Sequence, residues 1–153
     1  MTSKERVLKR ERDNGMKDAL EVQEKSHNMT GTELNDVADR IPQFQKAIEK
    51  MNMLDRPVGF VCKSSEGRVV KLLQNYDSSI FTGEPEELTA QWGFVWSNNP
   101  EHAKAFISLS TSPYMIGNCC IENDIVYRSK IDNNVWSPSD YPYGWEKVEV
   151  VFI

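Results

Sequence analysis

The sequence predicts an α+β protein in which an N-terminal helical segment is followed by two small antiparallel three-stranded β repeats. Before residue 54, apolar residues recur at steps of three and four, which is the spacing of an amphipathic helix. After residue 54, apolar residues alternate within short segments that are bounded by turn-forming residues, which is typical of strands. The second half of this region also repeats the pattern of the first half, which indicates a duplicated unit.

Length and charge limit the classes of protein to which the chain can belong. Its 153 residues suffice for one ordinary domain, or for two very small ones with an extension. The net charge is −5, and residues 51–153 carry thirteen acidic against eight basic side chains. Such a surface repels phosphate backbones, so we expect no nucleic-acid partner. No apolar run approaches the length of a membrane span, and the charged start does not match a secretory signal, so we expect neither membrane insertion nor a signal peptide.

The three cysteines, Cys62, Cys119 and Cys120, predict neither a zinc site nor a disulfide framework. An odd number leaves at least one thiol unpaired, adjacent cysteines rarely bridge each other, and no pair has the C-x-x-C spacing of zinc ligands. We therefore expect three reduced, mostly buried thiols, no bound metal and no cofactor.

Residues 29–54 are predicted to form an amphipathic helical segment, preceded at 1–28 by a charged, weakly helical extension that orders on a partner. Thr30 and Glu33 have the spacing of a capping box, which marks a helix start. Pro42 removes a backbone donor, so we expect a kink there or a break between two shorter helices. The apolar stripe of the segment comprises Leu34, Val37, Ile41, Phe44, Ile48 and Met51.

This stripe has two interpretations. The six side chains either pack against the β region of the same chain or meet copies of themselves in an oligomeric stalk. In the second interpretation the stripe is an assembly surface, and the chain forms a homo-oligomer through its N-terminal helix.

The two β repeats are predicted at residues 55–97 and 114–153, on either side of a linker at 98–113. Each repeat is too small to bury a core alone, so we expect the two to pack on each other and on the helical stripe. The linker is expected to hold a short helix that begins at Asn98 or Asn99 and then a strand.

The repeats are aligned by taking Cys62 and Cys119 as equivalent. Each cysteine is then followed by a tight turn, an alternating strand and, after a loop, a tryptophan, Trp92 in the first copy and Trp145 in the second. The other aligned segments are Glu66-Gly67 with Asn123-Asp124, and Arg68–Lys71 with Ile125–Arg128. Each copy is therefore predicted to be a three-stranded meander that is closed by a tryptophan.

The second repeat contains four aromatic rings within ten residues, separated by prolines and a glycine. Prolines hold such a segment as a rigid loop, and rigid loops that display flat rings are typical of sugar-binding and protein-binding surfaces. We predict a ligand-binding surface of Trp136, Tyr141 and Tyr143, with Asp132 and Asn134 as polar partners. The alternative is that the same rings form a structural contact in a protein assembly.

Several turn and aromatic positions of residues 114–150 occur in the order of a known module. They are Tyr114-x-x-Gly117, the turn at Asn123-Asp124, Tyr127, Trp136-Ser-Pro, and Tyr141-Pro-Tyr-Gly-Trp145. This pattern resembles the chitin-binding type-3 domain, also called carbohydrate-binding module families five and twelve, in the form found in bacteriophage tail and prophage proteins. The resemblance implies that Tyr127 and Trp145 are core residues. At Ile131 the chain departs from the sugar-binding members, which usually carry an exposed tryptophan there.

No residue pattern predicts catalysis, so we expect the chain not to be an enzyme. His27 and His102 are the only histidines, and neither a nucleophile elbow nor a phosphate-binding glycine loop accompanies them. The enzymatic alternative is a small hydrolase that uses His102, which requires that residue to lie in a pocket beside a nucleophile.

Together, these features and the resemblance predict a non-catalytic, tail-associated protein of a bacteriophage or prophage. Its expected partners are other tail, fibre or baseplate proteins through the helical segment, and a partner protein or cell-surface glycan through the β repeats. We expect it to be assembled in the bacterial host cytoplasm and to lie in the tail of the virion. The alternative is a carbohydrate-binding accessory module, for chitin or cell-wall glycan, of a hydrolase system.

Overall fold

The computed structural model describes residues 21–150, which form two β-sheets and several short helices. The mixed α+β class is confirmed at this level. Most of the predicted extension at 1–28 lies outside the described residues, as do the last three residues of the second repeat. Of that extension, residues 21–25 are helical and continue into a 3₁₀ turn at Ser26–Asn28.

The helical segment starts with helix α1, at Gly31–Asp36, where the sequence predicts it. The hydroxyl oxygen of Thr30 accepts a hydrogen bond from the Glu33 N–H at 3.1 Å, and a Glu33 carboxylate oxygen accepts one from the Thr30 N–H at 3.2 Å. This reciprocal pair is the predicted capping box, which satisfies two backbone donors at the helix start.

Pro42 separates two helices instead of kinking one. A 3₁₀ turn at Ala38–Arg40 follows α1, and helix α2 spans Phe44–Lys50. Between them Ile41 has an extended backbone, because a residue that precedes proline avoids the helical region. None of the helices in this described part of the chain is long and apolar enough to cross a membrane.

The first repeat forms an antiparallel sheet of β1 (Val61–Lys63), β2 (Val69–Leu72) and β3 (Trp92–Phe94), in that order. In the turn between β1 and β2, the N–H of Gly67 donates to the carbonyl of Ser64 at 2.8 Å. Gly67 has a φ of 82°, a conformation that glycine adopts without steric cost.

The second sheet consists of β4 (Lys104–Ala105), β5 (Cys119–Glu122), β6 (Ile125–Ser129) and β7 (Trp145–Val148), in that order. Strands β5 to β7 are antiparallel neighbours, but β4 pairs with β5 in parallel. This sheet is therefore four-stranded and mixed, whereas the prediction was three antiparallel strands. The extra strand comes from the linker at 98–113.

The linker contains both of its predicted elements. A 3₁₀ turn at Pro100–His102 is capped by Asn99, whose side chain accepts a hydrogen bond from the Glu101 N–H at 3.1 Å. The turn leads the chain into β4, and beyond that strand the Phe106 N–H donates to the carbonyl of Ile121 at 2.8 Å. The short strand is thereby held along the edge of β5.

The two meanders share a register, but their cysteines are offset by one residue. Cys62 lies opposite Val70 in the first sheet, and Cys120 lies opposite Tyr127 in the second. Cys120 therefore occupies the place of Cys62, and the predicted equivalence with Cys119 is corrected by one position.

The offset arises in the hairpin turns. The first turn places three residues, Ser65, Glu66 and Gly67, between the hydrogen-bonded ends of the strands. The second turn has two, Asn123 and Asp124, whose φ angles of 52° and 63° are those of a type I′ turn. Because the second turn is one residue shorter, the residue equivalent to Cys62 lies one position later in the sequence, at Cys120.

The last strands of the meanders match as predicted. Leu72 lies opposite Trp92 in the first sheet, and Ser129 lies opposite Trp145 in the second. Both tryptophans are buried. Each meander is therefore closed by a tryptophan at the start of its third strand.

The core is continuous between the repeats. A run of rings joins them, with centroid separations of 5.9 Å for Phe94 and Trp96, 4.4 Å for Trp96 and Tyr114, and 5.3 Å for Tyr114 and Trp145. These residues belong to a single buried cluster that includes side chains of both sheets. The two repeats thus bury apolar surface against each other, as their small size requires.

Five of the six residues of the apolar stripe pack inside the chain, whereas the sixth, Met51, is exposed. The buried or partly buried members are Leu34, Val37, Ile41, Phe44 and Ile48. Phe44 contacts the core cluster that contains Trp92, whereas Leu34 and Ile41 belong to a separate cluster with Val61 and Val69. Since these side chains already contact the first sheet, the interpretation in which the stripe packs on its own chain accounts for them.

Candidate functional site

Three aromatic side chains of the second repeat lie beside one another on the surface. Trp136, Tyr141 and Tyr143 expose 50, 41 and 80% of their surface. The ring centroids of Trp136 and Tyr141 are 5.6 Å apart, and those of Tyr141 and Tyr143 are 6.2 Å apart. These three residues, here called the aromatic patch, are the rings that the sequence predicts as ligand-binding.

Hydrogen bonds to the core hold the loop that carries the aromatic patch. The indole N–H of Trp145, which begins β7, donates to the carbonyl oxygen of Trp136 at 2.8 Å. The N–H of Tyr141 donates to the carbonyl of Ser137 at 2.9 Å, and a 3₁₀ turn at Pro142–Gly144 leads into β7. The rings therefore stand on a backbone that is fixed at several points.

Gly144 is needed where the loop approaches the aromatic patch. A Cβ at this position would lie 2.8 Å from a ring carbon of Tyr141 and 3.1 Å from the side-chain nitrogen of Asn134. Both distances are shorter than ordinary van der Waals contact, so a larger residue would displace the Tyr141 ring.

Asn134 positions the loop instead of facing a ligand. Its side chain is fully buried, and its amide donates to the hydroxyl of Ser129 at 3.1 Å and to the carbonyl of Gly144 at 3.2 Å. Its side-chain oxygen accepts from the Trp136 N–H at 3.3 Å. The sequence predicts Asn134 as a polar partner for a ligand, but the structure uses its hydrogen-bonding groups inside the loop.

Asp132 lies at the surface, as predicted. One carboxylate oxygen accepts a hydrogen bond from the Ile116 N–H at 3.0 Å. Beside it, the N–H of Asn133 contacts the sulfur of Met115 at 3.4 Å. Met115 and Ile116 are themselves exposed, so apolar surface borders Asp132. Sequence reasoning missed these two residues, because nothing in their local pattern separates them from core residues.

The residues that the resemblance assigns to the core lie there. Trp145 is buried, and Tyr127 is partly buried against the same cluster. In the first repeat, Trp92 is also buried, and its indole N–H donates to the hydroxyl of the buried Tyr76 at 3.0 Å. Phe81 is exposed in the loop between β2 and β3.

His102 lies at the surface of the linker beside a carboxylate. Its Nδ1 atom lies 3.0 Å from a carboxylate oxygen of Asp36, although the geometry is not that of a hydrogen bond. Among residues 21–150, no serine or cysteine is hydrogen-bonded to its ring. The nucleophile that a His102 hydrolase requires is therefore not found in contact with it.

All three cysteines are free and buried, as predicted. Burial raises the pKa of Cys62, Cys119 and Cys120, since a thiolate loses hydration in the interior. Such thiols are poor nucleophiles because the reactive form is the thiolate. In the described part of the chain, no three His, Cys, Asp or Glu side chains are grouped so that they could hold a metal ion.

Comparison of the chain with protein-family models, with curated proteins and with solved structures found no match. The resemblance of residues 114–150 to a chitin-binding type-3 domain therefore stays a prediction that rests on its sequence positions alone.

Proposed function

We propose that this chain is a non-catalytic attachment protein of a bacteriophage or prophage tail, and that its aromatic patch contacts a surface glycan. The observation that supports this proposal is the arrangement of Trp136, Tyr141 and Tyr143, which are exposed side by side on a loop fixed to the core. The exposed apolar surface of aromatic rings is unfavourable in water, so a ligand that covers the rings gains free energy by removing that surface from water.

The planes of Trp136 and Tyr141 are inclined by 50° and those of Tyr141 and Tyr143 by 67°, so a sugar ring would stack on one of these rings at a time. Sugar C–H faces stack on indole and phenol rings, and the hydroxyls at the ring edge need polar partners. Asp132 and Asp140 are exposed on the same loop segment, and the Tyr143 hydroxyl adds a donor and an acceptor. Because hydrogen bonds already fix the loop, little conformational entropy is lost when a ligand binds.

The assignment to a tail rests on the resemblance of the second repeat. In this proposal the assembly contacts lie in the charged extension at 1–28, because the apolar stripe of the helical segment packs against the first sheet. Deletion of residues 1–20 is then expected to abolish co-purification with tail particles, whereas glycan binding persists.

Retention on insoluble glycans tests the role of the aromatic patch. The unmodified protein is expected to be retained on chitin or on peptidoglycan. The variant Trp136→Ala is expected not to be retained. The matched control is Phe81→Ala, which removes a ring of similar exposure from the first repeat and should leave retention unchanged. If the unmodified protein is retained on neither glycan, the glycan proposal is wrong.

A carbohydrate-binding accessory module of a hydrolase system is the second candidate, and the same exposed rings favour it. This candidate predicts that glycan retention again depends on Trp136, but that the protein partner is a hydrolase and not a tail subunit. Co-purification with a cell-wall hydrolase, and not with tail subunits, would favour this candidate over the first.

A further inference from the structure

A groove of about 520 Å³ lies between helix α2 and the first sheet, outside the second repeat that carries the aromatic patch. Four cationic side chains and one carboxylate line it, Lys46, Lys50, Arg56 and Lys63 with Asp39. Four positive charges less one negative give the lining a net charge of +3, on a chain whose net charge is −5. The groove is thus a local concentration of positive charge on an acidic protein.

Three different elements bring these cations together. Lys46 and Lys50 lie one turn apart on α2, so their side chains leave the same face of the helix. Lys63 ends β1, where its N–H donates to the carbonyl of Pro42 at 2.9 Å. That bond and the adjacent parallel bridge between Lys63 and Gln43 fix the strand end against the start of α2.

Arg56 is held in place at one wall of the groove. Its Nη2 atom donates to the carbonyl of Ala47 at 2.9 Å, and its guanidinium carbon lies 4.4 Å from the ring centre of Phe60. Its Nε–H is buried without a hydrogen-bond partner. The guanidinium is therefore oriented before any ligand binds, which reduces the entropy lost on binding.

The positive charges of the groove are not neutralised within the described part of the chain. Among residues 21–150, none of Lys46, Lys50, Arg56 and Lys63 forms an ion pair. Like charges four residues apart on a helix repel each other, so Lys46 and Lys50 oppose the stability of α2 when nothing binds. Burial also lowers the pKa of Arg56. An anion in the groove would relieve both unfavourable effects.

We propose that this groove binds a soluble ligand that carries a phosphate-type oxyanion with at least two negative charges. Lysine ammonium groups bind phosphate as point charges, and an arginine fork supplies directed donors to its oxygens. The volume falls within the usual range of small-molecule sites, so it accommodates more than the anion alone, such as a phosphorylated sugar. This proposal is independent of the aromatic patch.

Calorimetric titration of the full chain with inorganic tripolyphosphate tests the proposal. We expect saturable binding with one site per chain, weakened about tenfold in the double variant Lys46→Gln/Lys50→Gln and reduced by added salt. The control is Lys130→Gln/Lys147→Gln, which makes the same change in net charge at exposed positions of the second repeat. We expect it to alter the affinity by less than about twofold.

Two outcomes would overturn the proposal that the groove binds an anion. One is the absence of saturable binding, and the other is an equal loss of affinity in both double variants, which would show a diffuse effect of net charge. The single variant Lys63→Gln tests the groove independently, because Lys63 lies on β1 and not on α2. We expect it to weaken binding without unfolding the chain. Circular dichroism of each variant establishes that it is folded.

The source of the phosphate group is resolved by two further probes. Vesicles that contain an anionic phospholipid are expected not to retain the chain, whereas retention that depends on Lys46 and Lys50 would assign the phosphate to a lipid headgroup. Single-stranded DNA is expected to bind more weakly than tripolyphosphate, because the chain as a whole is acidic. Tighter binding of the DNA would overturn the proposed small-ligand site.

Discussion

The indole nitrogen of Trp145 donates a hydrogen bond of 2.8 Å to the backbone carbonyl of Trp136, nine residues earlier. Trp145 is buried where β7 begins, whereas the ring of Trp136 is half exposed in the aromatic patch. A core residue therefore fixes the backbone of a surface residue. This contact links the stability of the second repeat to the geometry of its candidate site.

Replacing Trp145 with phenylalanine tests that link. Trp145→Phe removes the indole donor and part of the ring volume, so we expect the free energy of unfolding to fall by about 1–3 kcal/mol. Because the Trp136 carbonyl also loses its partner, the patch loop should become more mobile, and retention on glycans should weaken. Urea unfolding and the retention assay measure the two effects.

A matched substitution in the first repeat separates stability from binding. Trp92→Phe removes the hydrogen bond between the indole of Trp92 and the hydroxyl of Tyr76. We expect a similar loss of about 1–3 kcal/mol, with glycan retention unchanged. If Trp92→Phe and Trp145→Phe impair retention equally, the loss reflects general destabilisation, and the specific link is not supported.

Local signals made much of the fold predictable. The capping spacing of Thr30 and Glu33 marks the start of α1, and Pro42 marks the break before α2. Alternation and turn residues predict both meanders, with Trp92 and Trp145 at equivalent places. Each of these features depends on residues close together in the chain, so the sequence carries the information directly.

Features that depend on distant residues were not predictable. A strand was expected in the linker, but the parallel pairing of Lys104–Ala105 with β5 is set by tertiary packing and has no local signal. Asn134 looks like a surface residue in a polar segment, yet Ser129 and Gly144 provide buried partners for it. The cationic groove draws its side chains from separate elements, so no spacing in the sequence reveals it.

Asn134 is expected to be the polar residue on which the patch loop depends most. Asn134→Ala removes a buried amide that makes three hydrogen bonds and leaves the Trp136 N–H without its acceptor. We expect a loss of about 1–3 kcal/mol in the free energy of unfolding. The exposed neighbour Asp140 is the control, and Asp140→Ala should change stability by less than about 0.5 kcal/mol. Equal effects in urea unfolding would contradict the structural role of Asn134.

Gly31 gives a prediction in which two physical effects have opposite signs. Helix propensity alone predicts that Gly31→Ala stabilises α1 by up to about 1 kcal/mol. A Cβ at this position would, however, lie 2.4 Å from the backbone oxygen of Trp96, which cannot move aside as a side chain can. We therefore expect a net loss of about 1–3 kcal/mol. Thermal unfolding decides between the two, since a raised melting temperature would show that α1 does not pack this closely on residue 96.

Stability is expected to fall at alkaline pH because of the buried thiols. Burial raises the pKa of Cys62 and Cys120, so these thiols stay protonated in the folded chain when the unfolded chain, with an ordinary thiol pKa of about 8.5, already releases its protons. The stabilisation is thus complete below about pH 8.5 and is lost above it, by about 1.4 kcal/mol per pH unit for each thiol. Urea unfolding from pH 7.5 to about 9.5 measures the slope, before tyrosines ionise near about pH 10. Because burial also raises the pKa of Cys119, Cys120→Ala should remove about a third to a half of the slope, and an unchanged slope would show that this thiol is not the cause.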